Sequence, residues 1–124
     1  MREIVLDTET TGFEPKDGHR LVEIGCLELV NHVPTGRTYH QYINPQRDMP
    51  VAAYDVHGLS EEFLSKYPVF SNVYKAFLDF IGDSPLIIHN ATFDMKFLHA
   101  ELKGHVMTPL PNKVVDTLDM ARRA

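Results

Sequence analysis

The segment Ile4-Val5-Leu6-Asp7-Thr8-Glu9-Thr10-Thr11-Gly12 constrains this chain more than any other stretch. An apolar, β-branched run that ends in acids, hydroxyls and a glycine fits a buried strand carrying carboxylates to the rim of a sheet. The strand is predicted over Arg2 to Leu6, with Asp7 at the rim. Successive strand side chains alternate faces, so Asp7 and Glu9 project to one side, within reach of a single cation.

The rest of the chain supplies the partners of that strand. Gly12 to His19 reads as a loop, because Pro15, Asp17 and Gly18 are turn formers and apolar patterning resumes only at Leu21. Arg20 to Val30 reads as a second strand, Asn31 to Gly36 as a hairpin connection, and Arg37 to Ile43 as the returning strand, ended by Asn44-Pro45. Val51 to Lys66 looks irregular except for Ser60-Glu61-Glu62-Phe63, a cap with acids in a first helical turn. Pro68 opens the strongest helical pattern: Phe70, Val73, Tyr74, Phe77, Leu78 and Ile81 recur on one face and Gly82 stops it. Leu86 to His89 reads as a short buried strand. It is followed by a helix over Phe93 to Lys103, capped by Asn90 or Thr92 and buried on two sides by Ala91, Met95, Leu98 and Leu102 against Phe93, Phe97 and Ala100. Lys113 to Asp116 forms a last strand, and Thr117 begins a helix that runs out at Ala124. Strands and helices in that order predict an α/β fold around a mixed five-stranded sheet flanked by helices.

At 124 residues, with 44% hydrophobic and 23% charged residues, the chain suits one folded domain over 1–124 and not a disordered segment. Its one cysteine, Cys26, excludes an internal disulfide, and no basic leader or apolar signal core opens the sequence, which makes the cytoplasm the expected compartment. No apolar run nears the ~20 residues a membrane-spanning helix needs. The net charge of -5 disfavours general attraction to nucleic acid, so cations would have to mediate contact with phosphate.

His89-Asn90-Ala91-Thr92-Phe93-Asp94 forms a second candidate site. A carboxylate in the first turn of a helix that follows a strand is again held at a sheet rim, and in a compact α/β unit Asp94 faces Asp7. Three converging carboxylates repel one another and raise their pKa values; Mg²⁺ or Mn²⁺, which prefer oxygen ligands and keep exchangeable waters, relieve that repulsion.

Together, Asp7 to Gly12, Val56-His57-Gly58-Leu59, His89 to Asp94 and Val115-Asp116-Thr117-Leu118 resemble the proofreading 3′→5′ exonucleases of the bacterial DNA polymerase III epsilon type, along the whole chain. These belong to the nucleases named for four acidic metal ligands, in the variant with a histidine general base and a ribonuclease H-like fold. The resemblance implies that Asp7, Glu9 and Asp94 match three of the catalytic ligands. It also implies that the backbone around Thr10-Thr11-Gly12, with Thr8 beside it, contacts the 3′-terminal nucleotide, that His57 lines its pocket, and that Asn90 stands near substrate. The implied chemistry is two-metal hydrolysis with Mg²⁺ or Mn²⁺ ions ~4 Å apart, releasing nucleoside monophosphates from single-stranded or frayed 3′ DNA ends. A DNA polymerase catalytic subunit is the implied partner.

The pattern departs from that family in one respect. Its third motif, a histidine and a fourth acid, belongs several tens of residues past Asp116, and the sequence ends at Ala124. An incomplete exonuclease domain without its C-terminal helices is therefore expected, inactive or nearly so and with apolar surface exposed. An RNA-trimming exonuclease, a phosphatase with an aspartate nucleophile, and a non-catalytic module that docks to a polymerase are the alternatives; Glu9 in place of a second aspartate argues against the phosphatase. Asp116 suits a helix cap, Glu23 a hydrogen-bonded strand residue, and Cys26 the core, while His19, His32, His40, His99 and His105 lack metal-ligand spacing and read as surface or packing residues.

Overall fold

The computed structural model describes residues 1–123, apart from the side chain of Arg123. Its elements in chain order are β1 (Arg2–Thr10), β2 (Leu21–Val30), β3 (Val33–Tyr42), α1 (Val51–His57), α2 (Glu61–Leu64), α3 (Tyr74–Ile81), β4 (Leu86–Ile88), α4 (Ala91–Leu102), β5 (Val114–Asp116) and α5 (Thr117–Arg123). The five strands form one mixed sheet in the order β3-β2-β1-β4-β5, antiparallel across β1-β2-β3 and parallel across β1-β4-β5. The mixed α/β architecture anticipated from the pattern of elements is the one observed.

Alternation divides the sheet into two faces. Ile4, Leu6, Thr8 and Thr10 of β1 are buried, as are Val22, Ile24 and Cys26 of β2. Ile4, Leu6, Ile24 and Cys26 pack with Phe70, Val73, Phe77 and Ile81 from the α3 region and Ala91, Phe97, Leu98 and Leu102 of α4. Asp7 and Glu9 lie on the other face, Asp7 exposed and Glu9 half-buried. Leu27 lies on that face, 48% exposed.

Several boundaries differ from the expectations, each for a local reason. β1 runs on to Thr10 instead of stopping at Leu6, because β2 pairs with it as far as Thr10↔Leu21, across an irregularity after Glu9. The hairpin connection is only Asn31-His32, both at positive φ (50° and 68°), the handedness that matches the twist of a two-residue turn. Pro34 therefore falls inside β3, tolerated because β3 is a sheet edge and its register slips between Leu27 and Leu29 of β2. The segment expected to be irregular before Ser60 holds α1, ended by Gly58 at φ 73°, whereas α2 follows as expected, its cap Ser60 accepting the Phe63 N–H at 3.0 Å. The helix expected from Pro68 is split into a 3₁₀ turn, Phe70–Asn72, and α3, although the apolar stripe is the one foreseen. Neither Asn90 nor Thr92 caps α4 with its side chain. Among the described residues no helix is long and apolar enough to cross a membrane.

Candidate active site

β4 pairs with β1 only through Ile4↔Leu86 and Val5↔Ile87, so Asp7 to Thr10 project past the last paired residue of β4. The first turn of α4 stands at that opening. There Asp94, 4% exposed, accepts a hydrogen bond from the Thr8 hydroxyl at 3.1 Å. Burial is the main cause that pushes the Asp94 carboxyl up to about 7; the hydrogen bonds from Thr8 oppose it, and the charges of Asp7 and Glu9 add to it. Glu9 is also raised, by burial first, then by Asp7 and Glu23, with His57 pulling the other way. The three sequence-predicted acids thus act on one another electrostatically.

They do not close on a point. Among the described residues no three His, Cys, Asp or Glu side chains are grouped so as to hold a metal ion, so the expected convergence is only partial. Thr8 draws Asp94 from the buried side while Asp7 stands exposed on the outer face, and like charges gain by staying apart. The donor set nonetheless fits a hard divalent cation: it offers carboxylate oxygens only, with mutual repulsion that such a cation would relieve.

Beside the acids lies a cavity of about 280 Å³ with mostly apolar walls, lined by Thr8 to Phe13, His19, Pro50, Ala52, Ala53, Val56, His57 and Phe93. Of the residues expected at a nucleotide, Thr8, Thr10, Thr11, Gly12 and His57 line it. Asn90 does not; it stands exposed at the start of α4, its backbone in the left-handed region at φ 61°. The Leu59 N–H donates to His57 Nδ1 at 3.0 Å, so the ring hydrogen sits on Nε2 and donates to the Thr10 carbonyl at 3.0 Å. His57 thereby ties the end of α1 to the end of β1. Phe13, 79% exposed, and Val56, 80% exposed, leave large apolar surface at the cavity mouth.

Asp116 takes the role that Asn90 or Thr92 was expected to play. From the end of β5 its carboxylate accepts the N–H groups of Asn90 and Ala91 (both 3.0 Å), Leu118 (2.9 Å) and Asp119 (3.4 Å), so one side chain caps both α4 and α5. His89 Nδ1, 3.0 Å from the Thr117 hydroxyl, closes the same junction. Partial burial works to raise the Asp116 pKa, but the four N–H donors outweigh it and hold the carboxyl below its usual 3.8. A lowered native pKa adds stability above the unfolded value, lost as pH falls through the native one. Asp116→Asn should therefore lower the Tm at neutral pH, with the deficit shrinking below about pH 4; thermal melts across pH check this, and a constant deficit would contradict it.

Glu23 pairs across the strands with Glu9 and hydrogen-bonds to His40 at 2.5 Å, as a strand residue rather than a ligand of the three acids. Cys26 is in the core at 3% exposure. Apolar periodicity missed two residues. Glu101, 7% exposed, accepts from Arg20 Nε (2.9 Å), Arg20 Nη2 (2.6 Å) and the Leu21 N–H (3.0 Å), tying α4 to the start of β2. His19, read as a surface or packing residue, lines the cavity; its separation from Gly12 by one turn-rich loop was the available signal.

Comparison with known proteins bears on this site. The sequence model of a protein family described as "Exonuclease" matches residues 4–124. The DNA polymerase III subunit epsilon of Rickettsia felis is 55% identical over 126 residues, covering 98% of this chain and 55% of the relative. That of Escherichia coli is 42% identical over 132 residues, covering 98% and 54%. The chain thus spans about half the length of the curated relatives it matches. Among solved structures, exonuclease X in complex with 5′ overhanging duplex DNA superposes with a TM-score of 0.75 at 22% identity, over 98% of this chain and 63% of that one. Escherichia coli exonuclease I in complex with a dA16 oligonucleotide gives 0.82 at 16%, over 98% and 29%. At those identities the likeness concerns the fold.

Proposed function

This chain belongs to the exonuclease family, and from that membership we propose that it is the 3′→5′ exonuclease portion of an epsilon-type proofreading protein, hydrolysing the 3′-terminal phosphodiester of DNA to release nucleoside monophosphates. The observation that carries the reading is geometric: buried Asp94, held by the Thr8 hydroxyl, shares its surroundings with Asp7 and Glu9, and Glu9 lines an apolar cavity of about 280 Å³. Asp7, Glu9 and Asp94 would hold the Mg²⁺ or Mn²⁺. Two such ions, when bound, supply an activated water and neutralise charge on the leaving 3′ oxygen.

The chain's own residues account for the rest. Phe13, Val56 and Phe93 present apolar surface to a terminal base, which favours stacking without hydrogen-bond readout. The backbone of Thr10 to Gly12 supports the sugar and phosphate, with the Thr10 carbonyl held by His57. An unpaired terminal base costs less to withdraw from the duplex than a paired one, so frayed and mismatched ends are preferred. In the complete protein we place this domain, residues 1–124 and beyond, with a DNA polymerase catalytic subunit in the cytoplasm, following the naming of its relatives.

Within residues 1–124 this reading assigns three acids and no histidine base. A positioned base contributes about 10²–10⁴-fold. A polypeptide of these residues alone should therefore release nucleotides more slowly by that factor. The test is a 5′-labelled single-stranded DNA incubated with Mn²⁺. A slow ladder shortening from the 3′ end, lost in Asp7→Ala and absent with a 5′-labelled RNA of the same sequence, is expected. Rapid turnover would refute the missing base, and shortening that survives Asp7→Ala would refute the site.

A further inference from the structure

Gly12 has a neighbour that explains it. Its φ lies outside the left-handed region, so the backbone does not demand glycine there; space does. A Cβ on Gly12 would lie 2.4 Å from His19 Nε2 and 2.5 Å from both Cδ2 and Cε1, so the outer edge of the imidazole occupies the place of a side chain. The other edge is bonded. The Thr11 hydroxyl oxygen accepts the Arg20 N–H at 3.0 Å and is hydrogen-bonded to His19 Nδ1 at 2.9 Å. The Thr11 N–H donates in turn to the Arg20 carbonyl at 2.9 Å.

Thr11 and Arg20 thus form the stem of a loop, and His19 folds from the anchored end of that stem back over Gly12. Arg20 is itself gripped by Glu101 of α4, so the stem is fixed to the body of the fold. Thr11, Gly12, Phe13 and His19 all line the cavity assigned to the terminal nucleotide.

We propose that His19 is a positioning residue for that nucleotide: wedged against Gly12 and bonded to Thr11, it fixes the backbone on which the 3′ end rests and holds Phe13 at the cavity mouth. The proposal deepens the reading above and depends on it. His19 does not touch reacting atoms; it acts through the Thr11-Gly12 backbone. When His19 is shortened that backbone loses the ring that backs it and keeps its bonds with the Thr10 hydroxyl, which accepts the Gly12 N–H at 3.3 Å and donates to the Gly12 carbonyl at 2.6 Å.

The test is a double-substitution cycle read by binding. The probe is a short oligothymidylate with a 5′ fluorophore and a free 3′-hydroxyl, titrated with the chain in Ca²⁺ in place of Mn²⁺, with its length checked on a gel, and followed by anisotropy. His19→Ala should bind about tenfold more weakly, the scale of loss when a preorganised group must instead be ordered on binding. Gly12→Ala should lose a similar factor by pushing the ring aside. The double variant should bind no more weakly than either single one, because both remove the same contact. His19→Asn, which can keep the bond to Thr11 without the wedge, should fall between His19→Ala and the unsubstituted chain. Melting curves confirm that each variant is folded. Independent losses that multiply to about a hundredfold, or full-strength binding by His19→Ala, would overturn the proposal. Failure of the unsubstituted chain to prefer the 3′-hydroxyl probe over a 3′-phosphorylated one would instead overturn the functional reading, and this proposal with it.

Discussion

Asp94→Asn is expected to stabilise the cation-free chain at pH 8 by about 2 kcal/mol and to abolish its response to Mn²⁺. The native carboxyl, 4% exposed, is pushed up to about 7 by burial and by Asp7 and Glu9 against the hydrogen bonds from Thr8, whereas in the unfolded chain it ionises near 3.8. Between those two values the native state binds a proton that the unfolded state has released, so stability falls as pH rises from about 4 to about 7 and then levels off. The full gap corresponds to about 4 kcal/mol; about half is expected, because the buried asparagine amide carries a desolvation cost of its own. Asparagine keeps an acceptor for the Thr8 hydroxyl and carries no charge. Melts from pH 5 to 9 should show the parent losing Tm while the variant stays level. A variant that melts below the parent at pH 8 would contradict the argument. Saturating Mn²⁺ should then reverse the order, since a cation bound only by the native state adds about 2.7 kcal/mol at a hundred times Kd. An equal Mn²⁺ response in both proteins would show that Asp94 is no ligand.

That trade between stability and site also marks where the sequence was legible. Asp7 and Glu9 stand on one face because strand alternation leaves no other choice once Ile4 and Leu6 are buried. The α3 stripe was readable for the equivalent helical reason. α4 was not, because its buried face is Ala91, Asp94, Leu98, Glu101 and Leu102, with Phe97 beside them. Two of those residues are charged, so a search for apolar periodicity found two opposed stripes where there is one, and Ala100, assigned to the second, is exposed. α1 escaped notice because it buries none of its side chains, leaving no amphipathic pattern. The cap that Asp116 gives α5 is local and was legible, but the one it gives α4 joins residues 25 and 26 positions apart, a contact that no local motif encodes. The motifs put Asp7, Glu9 and Asp94 forward, but their spread around the rim is a balance between the Thr8 hydrogen bond and mutual repulsion, which a motif does not carry.

Glu101 is the charged residue of that face with the larger structural consequence, and Arg20→Ala is the substitution that exposes it. The expected cost is about 3 kcal/mol, near the low end for breaking a buried ion pair because the Arg20 side chain is 38% exposed while that of Glu101 is 4% exposed. Deleting the guanidinium removes the donors at 2.9 and 2.6 Å and leaves a buried carboxylate with only the Leu21 N–H. The penalty is thus mainly that of an uncompensated charge. Three comparisons separate that cause from simple loss of packing. Arg20→Lys retains a charge without the planar fork and should cost less, about 1 kcal/mol. Glu101→Gln in the Arg20→Ala background should recover part of the loss, because it removes the stranded charge while keeping an acceptor for Leu21. Added salt should change the parent's urea midpoint little, since a pair this enclosed is poorly screened. If Arg20→Ala lowers the unfolding free energy from urea titration by less than ~0.5 kcal/mol, the pair behaves as a surface bridge. The Thr11-Arg20 stem would then have to be held by its backbone hydrogen bonds alone, and the nucleotide cavity would owe its shape to β1 and β2 rather than to their tie to α4.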